Sequence, residues 1–239
     1  MIFFRKKSKQ VSTNLQWDME VDWHCHILPG VDDGVNTLEE SLSILFDLET
    51  RGVREIWFTP HIMEDIPNET KSLKAIFKEL KDNYQQKNLM SSVRSPINLH
   101  LSSENMLDEL FVKRLAQNDL LPMINNHLLV ETSFFAPPHN FMDILEEIRI
   151  KGYYPVLAHP ERYAYMDEKD YLKLKEKCVK FQLNLMSLIG YYGSDVQKKA
   201  KKMLEKGFYE FTGSDIHRHS HLQIIDQMMT NNAVSKKSI

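Results

Sequence analysis

The stretch Val21–Gly34, VDWHCHILPGVDDG, decides how the rest of the chain reads. Its first half alternates apolar and polar residues with the period of a two-faced strand. Side chains two apart share a face, so Asp22, His24 and His26 point one way, and Val21, Trp23, Cys25 and Ile27 the other. Two imidazoles at a strand end, a Pro29-Gly30 break and the acidic pair Asp32-Asp33 are the ingredients of half a metal site. The pair His24 and His26 alone fits a solvated strand end equally well. The other strands have to decide.

Working outward, Thr37 with Glu40 three residues on forms a capping box for a helix through Leu38, Leu42 and Leu45, closed by Gly52. Val53–Thr59 reads as a strand running into Pro60-His61, and a charged helix follows over Glu69–Lys87. Ile97–Glu104 alternates again, placing His100, Ser102 and Glu104 on one face. Beyond it lie a helix at Met106–Gln117, a strand at His127–Glu131, a helix opened by Pro137-Pro138, and a strand at Tyr154–His159. A Lys-rich helix at Glu168–Lys177, a strand at Lys180–Leu188, a helix capped by Ser194, a strand at Phe208–Thr212 and a helix at His219–Thr230 complete the chain. Strands and helices alternate in about seven units, which predicts an α/β fold with a mainly parallel sheet closed into a barrel. Neither GxGxxG nor GxxxxGK[ST] occurs, so nucleotide-binding α/β folds lose support.

The 239 residues, 42% hydrophobic and 26% charged, suffice for one sizeable domain, expected over 18–230 with a polar tail at 231–239. A net charge of −3 gives no basic field for nucleic acid. Cys25 and Cys178 form neither a CxxC pair nor a disulfide framework, which fits a reducing, cytoplasmic setting. The opening MIFFRKKSKQ puts apolar residues before charges, the reverse of a secretory signal. Residues 1–17 read as a flexible basic tail, with at most weak membrane contact through Arg5, Lys6, Lys7 and Lys9.

A parallel barrel gathers the C-terminal ends of its strands on one face, where chemistry is built. In chain order those ends carry His24 and His26, Asp32 and Asp33, His61, Glu104, Glu131, His159, then Asp215 and His217. One such residue has an ordinary explanation, a core histidine or a turn aspartate. The same explanation repeated at nearly every strand end does not hold, and a metal cluster without thiolates is the better reading. Cys25, on the other strand face, is expected to be a packed core thiol.

These residues resemble the PHP (polymerase and histidinol phosphatase) family through HCH at His24–His26, DDG at Asp32–Gly34, TPH at Thr59–His61, Glu104, Glu131, AHPER at Ala158–Arg162 and SDIH at Ser214–His217. HILPGVDDG, EES at Glu39–Ser41, AHPERY and GSDIH are similar to the branch of manganese-dependent protein-tyrosine phosphatases found with bacterial capsule and exopolysaccharide genes. The resemblance implies a distorted seven-stranded barrel of PHP type holding two or three divalent metals, manganese foremost, with iron or zinc as alternatives. By matched motif, His24, His26, Glu104 and Asp215 would surround the first metal. Glu104, Glu131 and His159 would hold the second, and Asp33, His61 and His217 the third.

Such a cluster lowers the pKa of a bridging water, so that hydroxide attacks phosphorus in line without an enzyme nucleophile. Arg162 is the candidate for stabilising charge on the phosphoryl oxygens, and Asp32 or His217 for assisting the leaving group. Relatives often carry a second arginine past the last histidine. Here the register differs, leaving Arg218 or His221 as possible substitutes. The implied substrate is a phosphotyrosine protein, foremost a membrane-associated bacterial tyrosine kinase of capsule or exopolysaccharide synthesis. A small-molecule phosphatase such as histidinol phosphatase, or a non-catalytic metal-binding interaction module, is the alternative.

Overall fold

The structure is a computed structural model that describes residues 19–89 and 96–236, with side chains described through 227. The tail expected over 1–17 and residues 237–239 lie outside the described residues.

Capping chemistry and periodicity place the first helix as expected. The Thr37 hydroxyl accepts from the Glu40 N–H at 3.2 Å, opening α1 (Leu38–Thr50), whose Leu42, Leu45 and Leu48 are buried. Before it runs β1 (Val21–Cys25); after it come β2 (Glu55–Phe58), β3 (His61–Ile62) and α2 (Thr70–Leu89). Next are β4 (Asn98–Leu101), β5 (Glu104–Met106), α3 (Glu109–Gln117), β6 (His127–Glu131) and α4 (Phe141–Ile150). The chain then forms β7 (Tyr154–Ala158), α5 (Glu168–Glu176), β8 (Lys180–Asn184), α6 (Ser194–Glu205), β9 (Phe211–Gly213) and α7 (His219–Lys236). The last helix continues past the expected Thr230, into the segment read as a tail.

The fold is mixed α/β, and every pair of named strands is parallel. Three strands form one sheet in the order β1-β2-β4, and six form the other in the order β3-β5-β6-β7-β8-β9. Two segments read as single strands are each broken in two. Val53–Thr59 passes through Pro60, which has no N–H for a ladder, before pairing resumes at His61. Ile97–Glu104 breaks at Ser102, whose hydroxyl donates to the Leu121 carbonyl at 2.8 Å. The breaks remain hydrogen-bonded: Thr59 N–H donates to Cys25 O at 3.0 Å, and Ser102 N–H to Phe58 O at 2.8 Å.

Period-two alternation also fails inside β1, where the register shifts between Asp22 and Cys25. Trp23 packs with Trp57, Leu129, Val156 and Phe211 from facing strands, whereas Cys25 packs with Leu42, Leu45 and Leu222 under the helices. Cys25 is fully buried and its thiol donates to Trp57 O at 3.5 Å, the packed core role expected of it. Beyond β1 the chain turns tightly. A Cβ at Gly34 would lie 1.8 Å from the His26 carbonyl oxygen, so only glycine lets the DDG loop fold back against the strand end.

Candidate metal centre

His24, His26, Glu131, His159, Asp215 and His217 lie at or just past the C-terminal ends of β1, β6, β7 and β9; His61 and Glu104 open β3 and β5 directly after the breaks, and Asp33 comes from the loop after β1. His24 Nε2 and His26 Nε2 lie 2.9 Å apart, and Glu104 Oε2 is 3.2 Å from each. Asp215 Oδ1 is 3.5 Å from the first nitrogen and 3.4 Å from the second. Donor atoms sharing a divalent ion at about 2.1 Å sit about 3.0–3.4 Å from one another, so this spacing fits an ion between them. A second group is His61, Glu104 and Glu131, and a third is His26, Asp33, His61 and His217.

The sharing is wider than the motifs imply. His61 reaches both ways: Nδ1 is 3.2 Å from Glu104 Oε2 and from Glu131 Oε1, and Nε2 is 3.5 Å from Asp33 Oδ1. His159 Nε2 lies 3.0 Å from Glu104 Oε1 but 3.8 Å from Glu131 Oε2. His61 Nδ1 and Glu131 Oε1 are buried and close, yet make no well-aligned hydrogen bond. Atoms that converge without bonding one another suit a cation placed between them, so the donor set fits divalent metals.

Supporting groups fix the imidazoles. Gln182 Oε1 lies 2.5 Å from His24 Nδ1, and Asp32 Oδ2 lies 2.8 Å from His26 Nδ1. His217 donates from Nδ1 to Asp215 O at 2.9 Å, which turns its Nε2 toward Asp33. In each case the engaged nitrogen leaves the other free for a metal. Asp22 is fully buried; its carboxylate accepts from Ser214 N–H at 2.8 Å and Ser214 O–H at 2.5 Å, tying β1 to the segment after β9.

The field of the site follows. Burial would lower the His24 pKa, but Glu104 and Asp215 outweigh it and raise it to about 8. Burial would raise Glu104; His24, His159 and His26 hold it well below the usual carboxylate range. Asp32 stays at about 2 because His26, Gly34 N–H and His61 N–H overcome its burial. Without a metal, then, Glu104 and Asp32 are held toward the ionised form, and His24, His26 and His61 toward the protonated one. Strain gathers here too: His159 and Asp215 are in the left-handed region, with φ of 35° and 54°.

A cleft of about 390 Å³ opens over the cluster, lined by Asp33, His61, Glu131, His159 and His217 and walled by Phe134, Tyr191 and Tyr192. Arg162 also lines it, with Nη1 3.3 Å from Asp215 Oδ2. Arg218 lines it as well; its Nε donates to His221 Nε2 at 3.0 Å, and burial beside Arg218 and His217 lowers the His221 pKa to about 4. Two larger clefts, of about 940 and 680 Å³, flank the Pro137-Pro138 loop away from these residues.

Asp32 is brought to the cluster but not to the cleft: its side chain is fully buried and held by three donors. His100 stacks on Trp57 at 4.5 Å, His127 bonds Ile124 O at the start of β6, and His139 lines the cleft of about 940 Å³, so none of the three joins the cluster. Sequence reading missed Gln182, Asn184 and Phe134. Asn184 donates to Asp215 Oδ2 at 2.6 Å. Gln182 and Asn184 lie on β8, and the strand read from sequence over Lys180–Leu188 carries no ligand-type residue at its end, a gap that was the available signal. Phe134 carried none.

Residues 20–237 match the family described as capsular polysaccharide synthesis, CpsB/CapC. CapC of Staphylococcus aureus is 30% identical over 202 residues, covering 82% of this chain and 76% of that protein. Tyrosine-protein phosphatase YwqE of Bacillus subtilis is 28% identical over 210 residues, covering 85% and 81%. A solved structure from work on YwqE of Bacillus subtilis and CpsB of Streptococcus pneumoniae, described as unique metal-dependent tyrosine phosphatases, superposes with a TM-score of 0.76 at 25% identity, covering 89% of this chain and 92% of that one. By its sequence, its fold and its convergent histidines and carboxylates, the chain belongs to the CpsB/CapC family of capsular polysaccharide synthesis.

Proposed function

We propose that the protein is a metal-dependent phosphatase acting on phosphotyrosine in proteins, foremost a membrane-associated bacterial tyrosine kinase of capsule synthesis, in the cytoplasm. The observation that carries this is Arg162 set beside the buried cluster within one cleft, in a chain whose family match spans the whole site. Bound metals would supply an activated water and electrostatic hold on phosphoryl oxygens.

We assign His24, His26, Glu104 and Asp215 to one metal, Glu104, Glu131 and His159 to a second, and Asp33, His61 and His217 to a third. His61 is placed to serve the second as well. Manganese is the proposed metal; the nitrogen and oxygen donors also suit iron or zinc. Arg162 leaves Asp215 to hold the phosphoryl group through its planar fork. Gln182 and Asp32 orient His24 and His26. A tyrosyl leaving group has a pKa of about 10, so its departure needs little acid help. Asp32, buried behind His26, is a positioning residue in this scheme.

We read the two sheets as one distorted seven-stranded barrel within a catalytic unit spanning 18–230. The supporting facts are the hydrogen-bonded breaks at Thr59 and Ser102, and the bonds from Asp215 N–H to His24 O at 2.8 Å and from His26 N–H to Ile216 O at 2.9 Å. No helix among the described residues is long and apolar enough to cross a membrane.

The test is phosphate release from a phosphotyrosyl peptide by metal-stripped protein, with manganese restored and His24→Ala as control. Turnover that returns with manganese and is lost in the variant supports the proposal. Metal-loaded protein that hydrolyses histidinol phosphate but not the peptide would reassign it to small-molecule substrates.

A further inference from the structure

The cleft wall holds an arrangement that the metal cluster does not account for. The Arg162 guanidinium carbon lies 4.4 Å from the centroid of the Phe134 ring and 4.1 Å from that of Tyr192. Tyr192 meets Tyr191 edge-on at 5.0 Å, so Phe134, Arg162, Tyr192 and Tyr191 form one continuous stack. The two ends of this stack remain open to solvent, Phe134 at 41% and Tyr191 at 43% exposure. Phe134 also lies 5.8 Å from the ring of His159, a member of the metal cluster.

A large aromatic left this exposed beside a buried ionic cluster is poorly explained by packing alone. Its contact with Arg162 orients the guanidinium, since a cation over a ring face is held in place by the ring quadrupole. Phe134 lines the cleft and keeps 41% of its surface in water, which leaves ring surface beyond Arg162 available toward the cleft mouth. An ester whose phosphoryl group sits between the cluster and Arg162 must lead its leaving group out past that mouth. An aryl leaving group finds an aromatic surface there, whereas an alkyl group gains much less.

Resting on the phosphatase reading above, we infer that Phe134 is a specificity-determining residue that selects aryl over alkyl phosphomonoesters while positioning Arg162. Aromatic contacts of this kind are worth roughly three- to tenfold in affinity.

Two non-hydrolysable probes, phenylphosphonate and methylphosphonate, test this by calorimetric titration of the manganese-loaded protein, independently of turnover. Wild type should bind the phenyl probe more tightly, and Phe134→Ala should reduce the phenyl-to-methyl ratio by about three- to tenfold with manganese content unchanged. Phe134→Tyr should restore the ratio, and Phe134→Leu should restore it only in part. A ratio unchanged in Phe134→Ala, or fully restored by Leu, overturns the inference. The peptide assay judges the phosphatase reading separately: a protein inactive there that still shows the Phe134-dependent ratio fails that reading and keeps this one.

Discussion

Replacing Asp32 by Asn separates two roles that sequence alone leaves open. Asp32 could assist the leaving group, or it could hold His26 in place. Its carboxylate accepts from His26 Nδ1 at 2.8 Å, Gly34 N–H at 3.0 Å and His61 N–H at 3.1 Å. An asparagine carbonyl can keep the bond to Gly34. Its amide then points N–H toward His26 Nδ1 and toward another N–H, at His61. The first contact favours the imidazole tautomer protonated on Nε2, the nitrogen that faces the cluster, and the second is repulsive. Loss of one such supporting group typically costs 10- to 100-fold in metal affinity, or about 1.4–2.8 kcal/mol. Manganese titration by calorimetry should show that loss with circular dichroism unchanged, and excess manganese should restore most of kcat. Wild-type manganese affinity combined with a collapse of kcat at saturating metal would refute this reasoning and make Asp32 a group acting on the substrate itself.

Arg162→Lys keeps the charge but loses the planar fork, so kcat should drop roughly a hundredfold with metal content unchanged; full activity would remove Arg162 from the phosphoryl site. The raised His24 pKa of about 8 lies above the ordinary value of 6.5, so its contribution to metal-free stability is present below pH 6.5 and is lost as pH rises through 8. The difference is on the order of 2 kcal/mol, and chemical denaturation of stripped protein at pH 6 and 8.5 should reveal it. Manganese binding must displace that proton, so calorimetry in buffers of different ionisation enthalpy should detect proton release at pH 6.5 that declines as pH rises past 8; none at the lower pH would show that His24 does not hold a proton. Gly34→Ala forces a Cβ into the His26 carbonyl. It should abolish high-affinity manganese binding while leaving the far-UV dichroism largely intact, and wild-type affinity would mean the loop can relax at no cost.

The ligand series was legible because strand ends in an α/β chain converge, so residues distant in sequence could be grouped by their place on a strand. His24, His26, Glu104 and Asp215 meet as the motifs imply. The finer sharing was not legible. Whether His61 turns one nitrogen or both to the cluster depends on a strand break at Pro60 that shifts pairing from one sheet to the other. Alternation over Ile97–Glu104 placed His100 and Glu104 on one face; the break at Ser102 sends His100 to Trp57 and Glu104 to the cluster. Phe134 lies in a loop without periodicity, and only three-dimensional contact reveals its partner.

The bonds joining Asp22 to Ser214 span 192 residues of sequence. Closure of this kind is slow, because a long loop must be ordered before its contacts form. During synthesis the segment carrying Asp215 and His217 emerges after every other strand. A nascent chain therefore already holds most of its imidazoles and carboxylates while lacking the two that complete the first and third groups. Completing the first and third groups therefore requires the first and last strands to have met, so those two ligand sets belong to the closed fold alone.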